Sequence, residues 1–196
     1  MQTILQFFGS WSMFSNKAKI PTIKEVLEAR LGKENIRYAK GSEILREKEI
    51  NEILAADGGN LIHIENEEEK EKQLLQEAIK VAKTADIIIL AIGEHYRQSG
   101  EACSRANIEI SYIQQNLLNE LAKLNKKIIT ILFNGRPLVL KEVAKKSDAL
   151  LEVWFPGTEG ANAIADVILG KVNPSRKINH EFPTSNRTMP NLLQSL

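Results

Sequence analysis

From residue 67 onward, apolar and polar positions fall into two alternating periods. Between Glu67 and Lys83, Leu74, Leu75, Ala78, Ile79 and Ala82 recur on one side of a 3.6-residue repeat, which predicts an amphipathic helix. Its acidic residues cluster early, where the positive end of the helix dipole favours them. The run Ile87-Ile88-Ile89-Leu90-Ala91-Ile92 is apolar throughout and rich in β-branched residues, as expected of a strand covered on both faces. Ser111 and Gln114 have the spacing of a capping box, and Leu117, Leu118, Leu121 and Leu124 give the stripe of the helix behind them. Ile128 to Phe133 predicts a second buried strand. Pro137 to Lys145 predicts a short helix with proline at its first position. Ala149 to Trp154 predicts a third strand, and Gly157 to Leu169 a further helix carrying Ile164, Ala165, Val167 and Ile168.

Before residue 66 the pattern is less regular. Pro21 to Leu31 predicts a helix with Ile23, Val26, Leu27 and Leu31 on its apolar face and Gly32 as a C-cap. Ile36 to Gly41 is a short strand candidate, Glu43 to Leu54 a weaker helix, and Asp57-Gly58-Gly59-Asn60 a turn. Strand and helix alternate at least three times, which predicts an α/β fold: a three-layer αβα sandwich around a mainly parallel sheet. Sites in such sheets form beyond the carboxyl ends of the strands. Three loops, Gly93 to Asn107, Asn134 to Pro137 and Phe155 to Thr158, are expected along that edge.

The composition is that of an ordinary globular chain of 196 residues, long enough to bury a core without staples. A formal net charge of +1 lacks the basic excess of a nucleic-acid binder. The single cysteine, Cys103, allows no internal disulfide. No apolar run approaches the roughly 20 residues that span a bilayer, so no membrane partner is expected. Met1 to Phe14 lacks the basic n-region and the long apolar run of a signal peptide. The default location is therefore cytoplasmic, or periplasmic or secreted if the chain is part of a longer precursor.

Titratable residues are dense in the first loop, Gly93-Glu94-His95-Tyr96-Arg97-Gln98-Ser99-Gly100-Glu101-Ala102-Cys103-Ser104-Arg105. Glu101 is the leading candidate for chemistry. A glutamate on a glycine-containing loop can enter a cleft and be held protonated by burial, as a general acid in glycoside cleavage must be. The plainer reading is a solvated carboxylate, the ordinary fate of a loop glutamate. Glu94 and His95 with Glu101 form no diagnostic metal spacing, so no metal is expected. Arg105 reads equally as a group that binds a substrate hydroxyl or carboxylate and as a loop brace paired with Glu101 or Glu94. Cys103 beside His95 lacks the third partner and oxyanion hole of a nucleophilic pair. Asn134-Gly135-Arg136 matches neither phosphate-binding nor dinucleotide glycine motifs, so no cofactor is implied. Trp154 and Trp11 read as core aromatics or as sugar-stacking platforms.

The order of motifs resembles the C-terminal domain of family 3 glycoside hydrolases, the β-glucosidase and β-xylosidase kind. The matching stretches are Ala85-Asp86-Ile87 into Ile92-Gly93-Glu94, Ser99 to Arg105, Asn134-Gly135-Arg136-Pro137-Leu138, Trp154 to Gly160, Asn162 to Val167, Gly170, Asn173-Pro174-Ser175 and Phe182-Pro183. Upstream, Gly9-Ser10-Trp11-Ser12 and Tyr38-Ala39-Lys40-Gly41 resemble the bacterial β-glucosidase branch. The resemblance implies a domain at 19–183, a lead-in at 1–18 and a tail at 184–196.

In that family a barrel domain supplies an aspartate nucleophile and, in many members, the α/β domain supplies the general acid/base glutamate. Glu101 matches the acid/base position. Ser104 and Arg105 match loop residues that line the cleft or bind substrate. The implied function is the acid/base half of a retaining β-glycosidase acting on β-linked glucosides or xylosides, with a family 3 barrel in trans or missing. Without the nucleophile, the chain is expected to be inactive by itself. The alternative is a non-catalytic carbohydrate-binding or interaction module left from a truncated glycosidase. The chain departs from the family pattern at Ala161 and Arg176, where glycines are usual, and in the short stretch before Gly9, so a fragment and an exposed sheet edge are expected.

Overall fold

A computed structural model of the chain describes residues 20–56, 58–101, 103–174, 182–183 and 185. Its elements are α1 (Ile23–Leu31), α2 (Glu47–Ala56), α3 (Glu67–Lys83), β1 (Ile87–Gly93), α4 (Tyr112–Ala122), β2 (Lys127–Phe133), α5 (Lys141–Lys146), β3 (Ala149–Glu152) and α6 (Gly160–Ile168). The strands form a parallel sheet in the order β1-β2-β3, with Ile88 opposite Ile128 and Ile131 opposite Leu151.

Each face of the sheet has its own core. Ile88, Leu90 and Ile92 point to one side, where they meet Ala78 and Ala82 of α3, Leu117, Leu118 and Leu121 of α4, and Val143 of α5. Ile131 and Phe133 point to the other, against Ile23, Val26 and Leu27 of α1 and Ala161, Ile164 and Ala165 of α6. This period-two division of a continuous apolar strand produces the three layers. Ala161 is fully buried in the second core.

Local signals set most element ends. Thr22 caps α1 through a reciprocal box: its hydroxyl accepts from the Glu25 amide at 3.2 Å, and the Glu25 carboxylate accepts from the Thr22 amide at 2.7 Å. Gly32 closes the helix at φ +91°.

Three local expectations are corrected. The capping box at Ser111 does not form. Ser111 Oγ instead donates to Ile44 O at 2.5 Å, and Gln114 turns inward to serve the end of β1. The helix expected from Pro137 begins only at Lys141. Val139 forms a parallel bridge with Glu109, its amide donating to Ile108 O at 3.0 Å, while Leu138 and Leu140 are buried, so the segment is held extended. Residues 36–41 join no ladder among the described residues. Ile87, at the start of β1, the outer strand among the described residues, is 54% exposed. Trp11 and the lead-in and tail stretches lie outside the described residues, apart from Ser185.

Candidate functional site at the carboxyl edge of the sheet

The strands are parallel and in register, so the loops after β1, β2 and β3 emerge at one edge. Their junction begins at Gly93. With φ at +151°, a Cβ there would lie 1.8 Å from the Phe133 carbonyl oxygen, so only glycine permits this approach of β1 to β2. Gln114, fully buried on α4, serves both polar groups of Gly93: its Oε1 accepts from the amide at 2.8 Å and its Nε2 donates to the carbonyl at 2.9 Å. Nε2 also donates to Ile44 O at 2.9 Å, which ties the segment before α2 to the same point. A polar side chain in a helix core is expensive unless satisfied, and this one is.

Glu94 follows and is only 2% exposed. Its Oε1 accepts from Arg105 Nη1 at 2.7 Å and lies 3.3 Å from Arg136 Nε, and its Oε2 accepts from the Gly135 amide at 3.1 Å. Burial pushes this carboxyl up, while the Gly135 amide and the two guanidiniums pull it back. The second loop is thereby fixed against the first. The third closes on both, because a Cβ at Gly135 would meet Ser99 Oγ at 2.2 Å and Phe155 Cε2 at 2.6 Å.

Below the junction lies a second carboxyl, Glu152, at the end of β3. Its Oε1 accepts from the Trp154 amide at 3.0 Å, and its Oε2 is buried without a hydrogen bond among the described residues. Burial raises this group to about 7, with Glu94 adding to the rise and the Trp154 amide and Asn134 side chain opposing it. Trp154 adopts φ +50°, a left-handed conformation unfavourable for an aromatic residue, and its ring stacks on Phe182 at 6.2 Å.

Glu101 stands exposed on the turn that follows Ser99 and Gly100. Ser104 is exposed, and Arg105 is half-buried, bonded to Glu94 and donating to Glu109 O at 3.3 Å. Ser104 and Arg105 line a cleft of about 500 Å³ between this loop and α2, which contributes Lys48, Glu49 and Glu52. Glu101 is not among its lining residues. His95 accepts from the Arg97 amide at 3.3 Å, and burial, with Arg97 nearby, lowers its imidazole to about 4. Cys103 Sγ donates to Arg97 O at 3.2 Å rather than to His95. Among the described residues, no group of three or more His, Cys, Asp or Glu is arranged to hold a metal, and no helix is long and apolar enough to cross a membrane.

Sequence reasoning missed Glu152 and the parts played by Arg136 and Gln114. A charged residue interrupting the apolar strand Ala149 to Trp154 was the available signal for Glu152. Of the two partners the sequence offers Arg105 as a loop brace, Glu101 and Glu94, the structure pairs it with Glu94, whose position directly after a buried strand accounts for its burial.

The architecture is thus an α/β sandwich whose three parallel strands deliver a buried carboxylate-arginine junction and an exposed glutamate to one edge. The Glycosyl hydrolase family 3 C-terminal domain matches residues 5–195, and the chain belongs to that family. The periplasmic β-glucosidase of Salmonella typhimurium is 37% identical over 185 residues, which is 93% of this chain and 24% of that protein. A β-xylosidase of Formosa agariphila is 36% identical over 112 residues, covering 57% of this chain and 16% of that one. Among solved structures, β-glucosidase from Listeria innocua in complex with isofagomine superposes with a TM-score of 0.72 at 30% identity, over 94% of this chain and 22% of that chain. A Bifidobacterium adolescentis GH3 β-glucosidase gives a TM-score of 0.70 at 26% identity, over 91% of this chain and 23% of that chain. The chain therefore spans a quarter or less of these relatives, at most 24%.

Proposed function

We propose that this chain supplies the general acid/base half of a retaining β-glycosidase, with Glu101 as the acid/base and β-linked glucosides or xylosides as substrates. What supports the reading is membership of the family over residues 5–195, with Glu101 at the position that matches the acid/base, together with where Glu101 sits. It stands exposed on a turn at the carboxyl edge of a parallel sheet, and the residues flanking that turn are anchored to buried Glu94 and to Arg136.

A barrel of the same family, docked on this edge, would bring the aspartate nucleophile. The aspartate attacks the anomeric carbon while Glu101 protonates the departing glycosidic oxygen. In the second half, the Glu101 carboxylate takes a proton from water as that water attacks the glycosyl-enzyme. Docking would remove water from around Glu101, and burial favours the protonated form of a carboxyl. Ser104 and Arg105, on the loop beside the cleft, line the leaving-group side. The Arg105 guanidinium is already committed to Glu94, so its part is to shape the loop as much as to meet substrate.

The test is hydrolysis of aryl-β-glucosides and aryl-β-xylosides by the chain alone and mixed with a family 3 barrel domain from a close relative. Activity only in the mixture, lost in Glu101→Ala, is the expected result. No activity from a folded chain with demonstrated barrel binding would sink the acid/base reading and leave a binding or interaction module. Activity from the chain alone would contradict the assignment of the nucleophile to the barrel.

A further inference from the structure

Arg136 reaches both ends of the turn that carries Glu101. Its Nη2 donates to the Cys103 carbonyl at 2.7 Å and also to the Gln98 carbonyl. These two carbonyls stand on either side of Ser99, Gly100 and Glu101. One guanidinium therefore closes the base of the turn in the way a backbone hydrogen bond closes a hairpin. Its own placement is fixed from behind. Nε is buried in an ion pair 3.3 Å from Glu94 Oε1 without hydrogen-bond geometry, the backbone carbonyl of Arg136 accepts from Asn134 Nδ2 at 2.8 Å, and the preceding Gly135 amide donates to Glu94 Oε2. The Arg136 side chain is 23% exposed, so water competes poorly for these contacts.

We infer that Arg136, braced by Glu94, is a positioning residue that clamps the Glu101 turn in place. The Arg105–Glu94 pair fastens the C-terminal arm of the loop to the same carboxylate, so turn and strand end share one charge centre. A lysine would not replace the clamp. Its ammonium is a single point that can approach the carbonyls or the carboxylate, whereas the planar guanidinium spans both. The catalytic meaning of the clamp rests on the acid/base reading of Glu101. The clamp itself does not.

The chain carries its own reporter. Cys103 is its only cysteine, half-buried, and its thiol is engaged with Arg97 O at the foot of the turn. Cys103 also lines the cleft, so its alkylation rate by iodoacetamide in the folded chain is read as variant against parent, a rise reporting a loosened turn. Arg136→Gln is expected to raise that rate several-fold, with cooperative thermal unfolding retained. Arg136→Lys should restore part of the protection, and Glu101→Gln should leave the rate unchanged.

If Arg136→Gln does not fold, Glu94→Gln, which keeps the side-chain size and an acceptor for Gly135, is expected to raise the rate several-fold by releasing the guanidinium. A rate within twofold of the parent in a folded clamp variant overturns the inference. In the chain assembled with a family barrel, Arg136→Gln is further expected to lower kcat with little change in KM. Faster alkylation with unchanged kcat would uphold the clamp and count against Glu101 as acid/base, so the two readings fail separately.

Discussion

Glu152→Gln offers a test in which the folded structure dictates a pH profile. The Glu152 carboxyl ordinarily titrates at 4.5 and is raised to about 7, chiefly by burial. Between those two values the folded chain holds a proton that the unfolded chain has already lost. Stability therefore falls as pH rises through that window and stays at the lower level above it. A rise of that size corresponds to roughly 3 kcal/mol for a group fully removed from water, and about 2 kcal/mol once partial solvent access is allowed for. His95 runs the other way. Its imidazole is lowered from 6.5 to about 4, so between those values the unfolded chain holds the extra proton and stability rises with pH.

The two slopes overlap and largely cancel from about pH 4.5 to 6.5, which leaves the Glu152 decline to show nearer neutrality. Replacing Glu152 with Gln removes one slope only. The difference between the parent and variant unfolding free energies isolates Glu152 together with its coupling to Glu94, because uncoupled groups subtract out. From urea titrations followed by tryptophan fluorescence, Glu152→Gln should gain about 2 kcal/mol on the parent between pH 4.5 and pH 8. A difference that is the same at both pH values would refute the placement of an ionisable carboxyl beneath the loop junction.

Two further substitutions probe the supports of the edge. Gln114→Leu keeps an apolar filler on α4 but strips the partners from the buried Gly93 amide and carbonyl, so a loss of about 2–4 kcal/mol is expected in urea unfolding, and a loss below about 1 would contradict the hydrogen-bond account. Gly135→Ala places a methyl against Ser99 and Phe155, where the turn must shift. The expected result is about 1–3 kcal/mol lower stability together with faster alkylation of Cys103, and an unchanged thiol rate would show that the loops yield elsewhere.

Much of the fold was legible in the sequence because the apolar pattern and the caps agree. The helix read from Glu67 to Lys83 has the bounds of α3, and the uninterrupted run at Ile87 could only be a strand with helices on both sides. The misreadings came where tertiary contacts overrule local chemistry. Ser111 and Gln114 have the spacing of a cap, yet a buried strand end needed both hydrogen-bonding ends of Gln114 more than the helix needed a box. Pro137 suits a helix start, but Leu138 and Leu140 are buried in the core and Val139 is pinned beside Glu109.

The site followed the same division. The three loops and their common edge were foreseeable from strand polarity, and the density of titratable residues marked the right loop. The grip of Arg136 on Gln98 and Cys103 was not, because it joins residues 38 and 33 positions apart through backbone carbonyls, which carry no sequence signature.

The central claim is that Glu101 passes a proton to the leaving group of a β-glycoside. The most direct measurement is the leaving-group dependence of Glu101→Gln, made in the chain assembled with a family 3 barrel. Dinitrophenyl β-glucoside needs no proton to depart, whereas methoxyphenyl β-glucoside does. The account predicts that the variant loses about 10²–10⁴-fold in kcat/KM on the methoxyphenyl substrate and far less on the dinitrophenyl one. Equal losses on both substrates, or none on either, would contradict it.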